Sequence, residues 1–206
     1  MPRPLKPLVF AVAVTPAAVL LWRGATDGLG ANPIEAITLF TGRWTLRLLL
    51  ITLAVTPLRR VTGWHQVIQF RRMLGLFTFF YATLHFTTYV VLDQFFAWGF
   101  ILKDIAKRPY ITVGFTAFVF LIPLAITSTK GWIRRLGRRW QVLHRLVYVS
   151  AVCGVVHFFW KVKADTRDPF IYAAILAGLL GVRLWVWFRA RTPQRLNARS
   201  NSSSAL

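Results

Sequence analysis

Along the chain, apolar residues gather into six long runs, roughly 8–22, 36–57, 73–92, 109–127, 140–160 and 169–188, parted by short polar connections. Most approach the ~20 residues that a helix needs to cross a bilayer. The pattern predicts an all-α integral membrane bundle of six transmembrane helices. The first run is short and holds Pro16, but no small-residue cleavage site follows it clearly, so it reads as a retained helix. Pro33, Pro57, Pro109 and Pro169 fall at expected helix edges, where a fixed φ and a missing N–H are tolerated. Pro123, inside the fourth run, predicts a kink. No repeat of clear period stands out. Residues 1–190 read as one domain, and the polar, Ser-rich stretch 191–206 as a disordered tail.

Composition agrees with lipid. Of 206 residues 56% are hydrophobic and the mean hydropathy is +0.52, too apolar for an ordinary soluble domain. The net charge of +20 would suggest nucleic acid in a soluble protein, but here the cations lie in short loops beside apolar runs, where anionic lipid headgroups are the natural partners. No nucleic-acid partner is expected. Lys and Arg crowd the amino terminus, the second and fourth connections (Arg59, Arg60, Arg71, Arg72; Lys130, Arg134, Arg135, Arg138, Arg139) and the tail, whereas all six acids fall in the other connections. Such an excess marks the cytoplasmic side, so both termini are expected there, in a multi-pass inner-membrane protein. The single cysteine, Cys153, excludes an internal disulfide and any CxxC motif.

Ionisable side chains inside a bilayer are costly and each needs a reason. Imidazole can be buried neutral, and neutral imidazole is a good metal ligand. One intramembrane histidine most simply makes an interhelical hydrogen bond; three together point to a cofactor. His85 and His157 sit in parallel runs towards the outer leaflet, near enough in depth to clasp one planar group. His144 lies thirteen residues before His157, roughly 20 Å down the helix axis and near the inner leaflet. Thirteen residues leave the two rings roughly 140° apart in azimuth, a mismatch that a π-bulge or kink would correct. The expected metal ligands are His85 and His157 on an outer haem, with His144 on an inner one. The inner partner is left between Gln69, His65, water and an open position, and His65 reads better as a solvated interfacial residue. Gly154 and Ala82, one turn before His157 and His85, would let a flat ring approach, or simply pack helices. Arg43 and Arg47, at i and i+4 on one face, would neutralise haem propionates or hold a quinone or flavin.

Several segments in order, "FTGRW" (40–44), "RRMLGL" (71–76) with "LHF" (84–86), "KRPYITVG" (107–114), "TSTKGWIRRLGRRWQVLHRLVY" (127–148) and "VHFFWKVK" (156–163), resemble the ferric-reductase-like transmembrane family. The resemblance is closest to its short branch of haem-binding membrane subunits, the MsrQ/YedZ family. It implies a haem b protein with one or two haems, an association with FMN, and His85, His144 and His157 as haem-ligand positions. Electrons would come from membrane quinone or a cytosolic flavin reductase. They would go to a periplasmic molybdopterin-containing methionine sulfoxide reductase subunit that repairs oxidised proteins. The fourth histidine of larger relatives is missing. With no G-x-G-x-x-G and no paired-carboxylate or Ser-His-acid set, the chain is expected to carry electrons rather than reduce the sulfoxide itself. The rival readings are a b-type cytochrome of a quinone-linked or ferric reductase, and a non-redox transporter or scaffold.

Overall fold

The computed structural model describes residues 5–162 and 164–203, with side chains as far as residue 189. Among the described residues there is no strand. Helices run α1 (Leu5–Ala25), α2 (Pro33–Thr62), α3 (Arg71–Thr87), α4 (Trp98–Lys107), α5 (Pro109–Ile126), α6 (Lys130–Leu136), α7 (Arg138–Leu143), α8 (Leu146–Lys161) and α9 (Arg167–Ser203). A 3-10 segment, His65–Phe70, leads into α3, and a π-helical segment, Thr88–Asp93, continues it. Six spans are long and apolar enough to cross a membrane: Leu5–Ala25, Pro33–Thr62, His65–Asp93, Pro109–Ile126, Arg138–Lys161 and Arg167–Arg189. They match the six apolar runs. The backbone of α9 stays helical past Arg191 to Ser203, and residues 204–206 lie outside the described residues.

Six crossings put the start of α1 and the end of the last span on one side, here the terminal side. The acids all fall on the opposite, acidic side. Large apolar residues on the outer surface, among them Leu21, Trp22, Ile51, Ile175 and Leu184, are exposed as a lipid-facing surface requires. The core lies inside, where Leu46, Leu49, Leu50 and Leu53 of α2 meet Ala151 and Val155 of α8 and Leu176 of α9. The tightest helix pairings are α2 with α3 and α5 with α8.

Helix ends follow the local chemistry. Asn32 caps α2, its side chain accepting from the Glu35 N–H, with Pro33 in the first turn; Gly63, at φ 69°, closes the other end. Pro57 does not end α2, contrary to the sequence expectation. The helix passes through it because Leu53, whose carbonyl loses its N–H donor to Pro57, accepts instead from Arg183 Nη2 of α9 at 2.7 Å. Arg183 Nη1 also donates to Tyr148 Oη at 2.6 Å, tying α9 to α2 and α8. Around Pro16 of α1, the wholly buried Tyr81 hydroxyl donates to Ala13 O at 2.9 Å and accepts from Ala17 N at 3.0 Å.

Candidate functional site

A cavity of about 440 Å³ opens between α2, α3, α5 and α8 towards the acidic side. That size falls within the ~300–1,000 Å³ usual for cofactor pockets. His85 of α3 and His157 of α8 line it, their ring centroids 6.1 Å apart and their planes at 77°. His85 Nδ1 is 3.0 Å from Thr38 O, and His157 Nδ1 is 2.7 Å from Tyr110 O. A carbonyl can only accept, so both rings donate through Nδ1. In a neutral ring this leaves Nε2 as the free lone pair, the arrangement typical of ligating histidines.

Each ring docks on its neighbour helix at a glycine one turn beyond the accepting carbonyl. A Cβ added at Gly42 would lie 3.0 Å from His85 Cε1, and one at Gly114 only 2.5 Å from His157 Nδ1. Adding 72 to the residue number carries Thr38, Gly42 and His85 onto Tyr110, Gly114 and His157. The two tightest helix pairs thus repeat one docking arrangement. Thr41, fully buried, sets its hydroxyl 3.4 Å from His85 Nδ1 while donating to Ile37 O.

Two imidazoles facing each other can hold one metal from opposite sides. The 6.1 Å between the ring centroids is within reach of two metal–nitrogen bonds of about 2.0–2.1 Å with ring radii of about 1 Å. No group of three or more His, Cys, Asp or Glu that could hold a bare ion exists among the described residues. A metal held by these two rings needs further ligands from outside the chain, and the apolar walls (Leu46, Leu49, Phe86, Phe118, Leu121) suit a flat macrocycle that would bring them. Ala82 and Gly154, the small residues singled out in the sequence, line the same cavity.

The other expected residues divide. Arg43 lines the cavity; Arg47 does not, because its Nε donates to Tyr172 Oη of α9 at 2.9 Å and its guanidinium lies 5.1 Å over Trp44. Gln69 and His65 are exposed in the 3-10 segment, away from the cavity. His144 ends α7 on the terminal side, where the helix breaks before α8, so the break falls at the histidine itself. Its ring stacks on Trp140 at 3.9 Å, and its Nε2 is 3.0 Å from Thr127 Oγ1, which itself donates to Pro123 O. Nothing in the sequence reading singled out Gly42, Gly114 or the carbonyls of Thr38 and Tyr110, although both glycines lie in segments that carry the family resemblance.

Fold and site together define a polytopic membrane protein with a paired-imidazole pocket, the class to which transmembrane cytochromes belong. The family model described as "Ferric reductase like transmembrane component" matches residues 41–155, which include His85 and His144. The protein-methionine-sulfoxide reductase heme-binding subunit MsrQ of Xanthomonas axonopodis pv. citri (strain 306) is 54% identical over 192 residues, covering 90% of this chain and 88% of the relative. That of Ralstonia nicotianae is 55% identical over 193 residues, covering 92% and 89%. The chain belongs to the ferric reductase-like transmembrane family and, within it, to the MsrQ heme-binding subunits. It is a multi-pass protein of the bacterial inner membrane. No solved structure matches it.

Proposed function

We propose that this chain is the haem-carrying membrane subunit of a methionine sulfoxide reductase system, passing electrons through the inner membrane to a separate catalytic subunit. The observation that carries the reading is the pair of facing imidazoles, each with Nδ1 donated to a main-chain carbonyl and Nε2 left free in an apolar cavity. The relatives, described as heme-binding subunits of a protein-methionine-sulfoxide reductase, support the same conclusion.

In this reading His85 and His157 would hold the iron of a haem b. The bound haem supplies one-electron chemistry at its iron. The chain's own residues do the rest: the Thr38 and Tyr110 carbonyls orient the imidazoles, the glycines let them dock, and the apolar walls keep water from the metal. The terminal side, rich in Lys and Arg, is cytoplasmic, and receives electrons from membrane quinone or from a cytosolic flavin reductase, with FMN as the associated flavin. The acidic side is periplasmic and delivers them to a molybdopterin-containing subunit that reduces methionine sulfoxide in oxidised proteins. His144 is the ligand position for a second haem near the cytoplasmic side.

The test is a reduced-minus-oxidised visible spectrum of the purified full chain with haem quantitation. His85→Ala and His157→Ala should each abolish the low-spin b-type band, since losing one axial ligand opens the iron. Unchanged low-spin haem in both variants defeats the assignment. His144→Ala should keep that band. A fall from two haems to one in this variant supports the second site, and one haem throughout removes it.

A further inference from the structure

The cavity is graded in polarity. Its deep end, along Leu46, Leu49, Leu121 and Ser150, is apolar apart from one hydroxyl, whereas its mouth on the acidic side gathers charge: Glu35, Arg43, Asp93, Arg108 and Lys161. These charges are not equally free. Glu35 accepts from Asn32 Nδ2 at 3.1 Å and Asp93 from Gln94 Nε2 at 2.9 Å, so both acids serve local caps and turns. Arg108 pairs with Asp104 at 3.3 Å, and Tyr89 Oη donates to the same carboxylate. Arg43 and Lys161 form no ion pair among the described residues.

Both side chains are exposed, so burial does not force a partner on them, but among the described residues neither is committed to a carboxylate, and both are free to meet an anion at the cavity mouth. Arg43 projects from α2, whose amino end lies on the acidic side, and side chains lean towards the helix amino terminus, so its guanidinium reaches towards the mouth. Lys161 sits in the last turn of α8, one turn beyond His157 and nearer the same side. The two cations therefore come from different helices to one end of one cavity, level with or beyond the paired imidazoles.

We propose that Arg43 and Lys161 form a two-point carboxylate clamp at the cavity mouth, which binds the two acid groups of a planar, otherwise apolar cofactor and sets its orientation, acids towards the acidic side. This rests on the haem reading above and assigns the propionates. Arg47, one turn from Arg43 on the same helix face, is excluded because Tyr172 and Trp44 already hold it. Anionic oxygens could also come from phospholipid headgroups, and the experiment separates the two sources.

Haem-depleted full-length chain in detergent is titrated with haem and with haem dimethyl ester, whose acid groups carry no charge, following the Soret band and its low-spin form. Charge-assisted contacts of the usual strength correspond to about tenfold to a hundredfold in affinity each, so the wild-type chain should prefer haem over the ester by at least that factor. In Arg43→Gln and in Lys161→Gln the preference should shrink by about tenfold or more, while Arg47→Gln keeps the wild-type ratio. Equal wild-type affinity for haem and ester overturns the clamp without any variant having to fold. A preference that persists undiminished in both glutamine variants also overturns it, and leaves lipid phosphate or water as the cations' partner. If the wild-type chain forms no low-spin complex with either compound, the haem reading falls and the clamp with it.

Discussion

Gly114→Ala is the sharpest probe of the paired docking. The added methyl carbon would stand 2.5 Å from His157 Nδ1, 2.9 Å from Cε1 and 3.0 Å from Cγ, against an ordinary contact limit near 3.4 Å. The whole ring face is met, so the imidazole must retreat by the better part of an ångström, and its 2.7 Å bond to Tyr110 O is lost with the move. Overpacking of this kind costs about 1–3 kcal/mol and a lost hydrogen bond about 0.5–1.5 kcal/mol. Together, about 2–4 kcal/mol of the histidine's docking is at stake, enough, if His157 holds the haem as proposed, to turn a low-spin haem largely high-spin.

Gly42→Ala is milder, with nearest approaches of 3.0 Å and 3.2 Å to His85, and should weaken ligation partially. Gly75→Ala meets only a Thr52 methyl at 3.7 Å and serves as the control; it should be neutral or gain about 0.5–1 kcal/mol of helix stability. The assay is the low-spin fraction from the reduced α band, together with carbon monoxide binding to any opened iron. The order 114, then 42, then 75 is the expected result. A Gly114→Ala protein with wild-type low-spin haem would refute the reasoning, because the histidine could not then be docked as described.

Two further predictions concern what holds the bundle around the site. Tyr81→Phe removes the hydroxyl that bridges Ala13 O and Ala17 N beside Pro16, and should lower thermal stability by about 1–3 kcal/mol while leaving the haem spectrum alone; a loss below about 0.5 kcal/mol would show that α1 does not depend on it. Arg183→Leu leaves the Leu53 carbonyl without a donor and should cost about 1–3 kcal/mol in thermal unfolding. Pro57→Ala restores an N–H to that carbonyl, so the double variant should recover part of the loss, and strict additivity of the two changes would argue against the pairing.

The six spans were legible because the bilayer imposes length and hydropathy strongly; most boundaries agree to within about three residues, the exceptions being the end of α2, which runs on past Pro57, and the start of the third span, which reaches back to His65. The three intramembrane histidines were legible because lipid makes an ionisable ring conspicuous. The short helices α4 and α6 were not, since pieces of ten residues or fewer in the connections fall short of the length that marks a span, and α7 was read as the start of the fifth run. Spacing put Arg43 and Arg47 on one face but could not say that Tyr172, far along the chain, takes one of them. The repeated docking left only a faint trace in the sequence, Gly42, His85 and Phe86 recurring as Gly114, His157 and Phe158, for a physical reason. Only the carbonyl-bearing position, the glycine and the histidine need to keep their spacing, and lipid-facing residues between them can be any apolar type. Tyr110 and Thr38 act through main-chain oxygen, so even their side chains are free to differ.

The repeat is broken where the cavity needs room. Under the same shift of 72, Thr78 of α3 corresponds to Ser150 of α8 and Ala82 to Gly154, each replacement one methyl smaller on α8. Thr78, fully buried, spends its hydroxyl on Leu74 O, as threonines inside helices usually do. Ser150 is equally buried, lines the cavity and has no hydrogen-bond partner. Symmetric docking therefore supplies two equivalent imidazoles, while asymmetric trimming hollows the space beside α8. A flat ligand held between the histidines would lie closer to the α8 wall than to α3, and the cations at its mouth, Arg43 and Lys161, have no counterparts in the repeat: the equivalent positions are Phe115 and Tyr89. If the proposed ligation and clamp hold, the pocket would combine two equivalent imidazoles with one preferred orientation of the bound group, so that one edge always faces the acidic side.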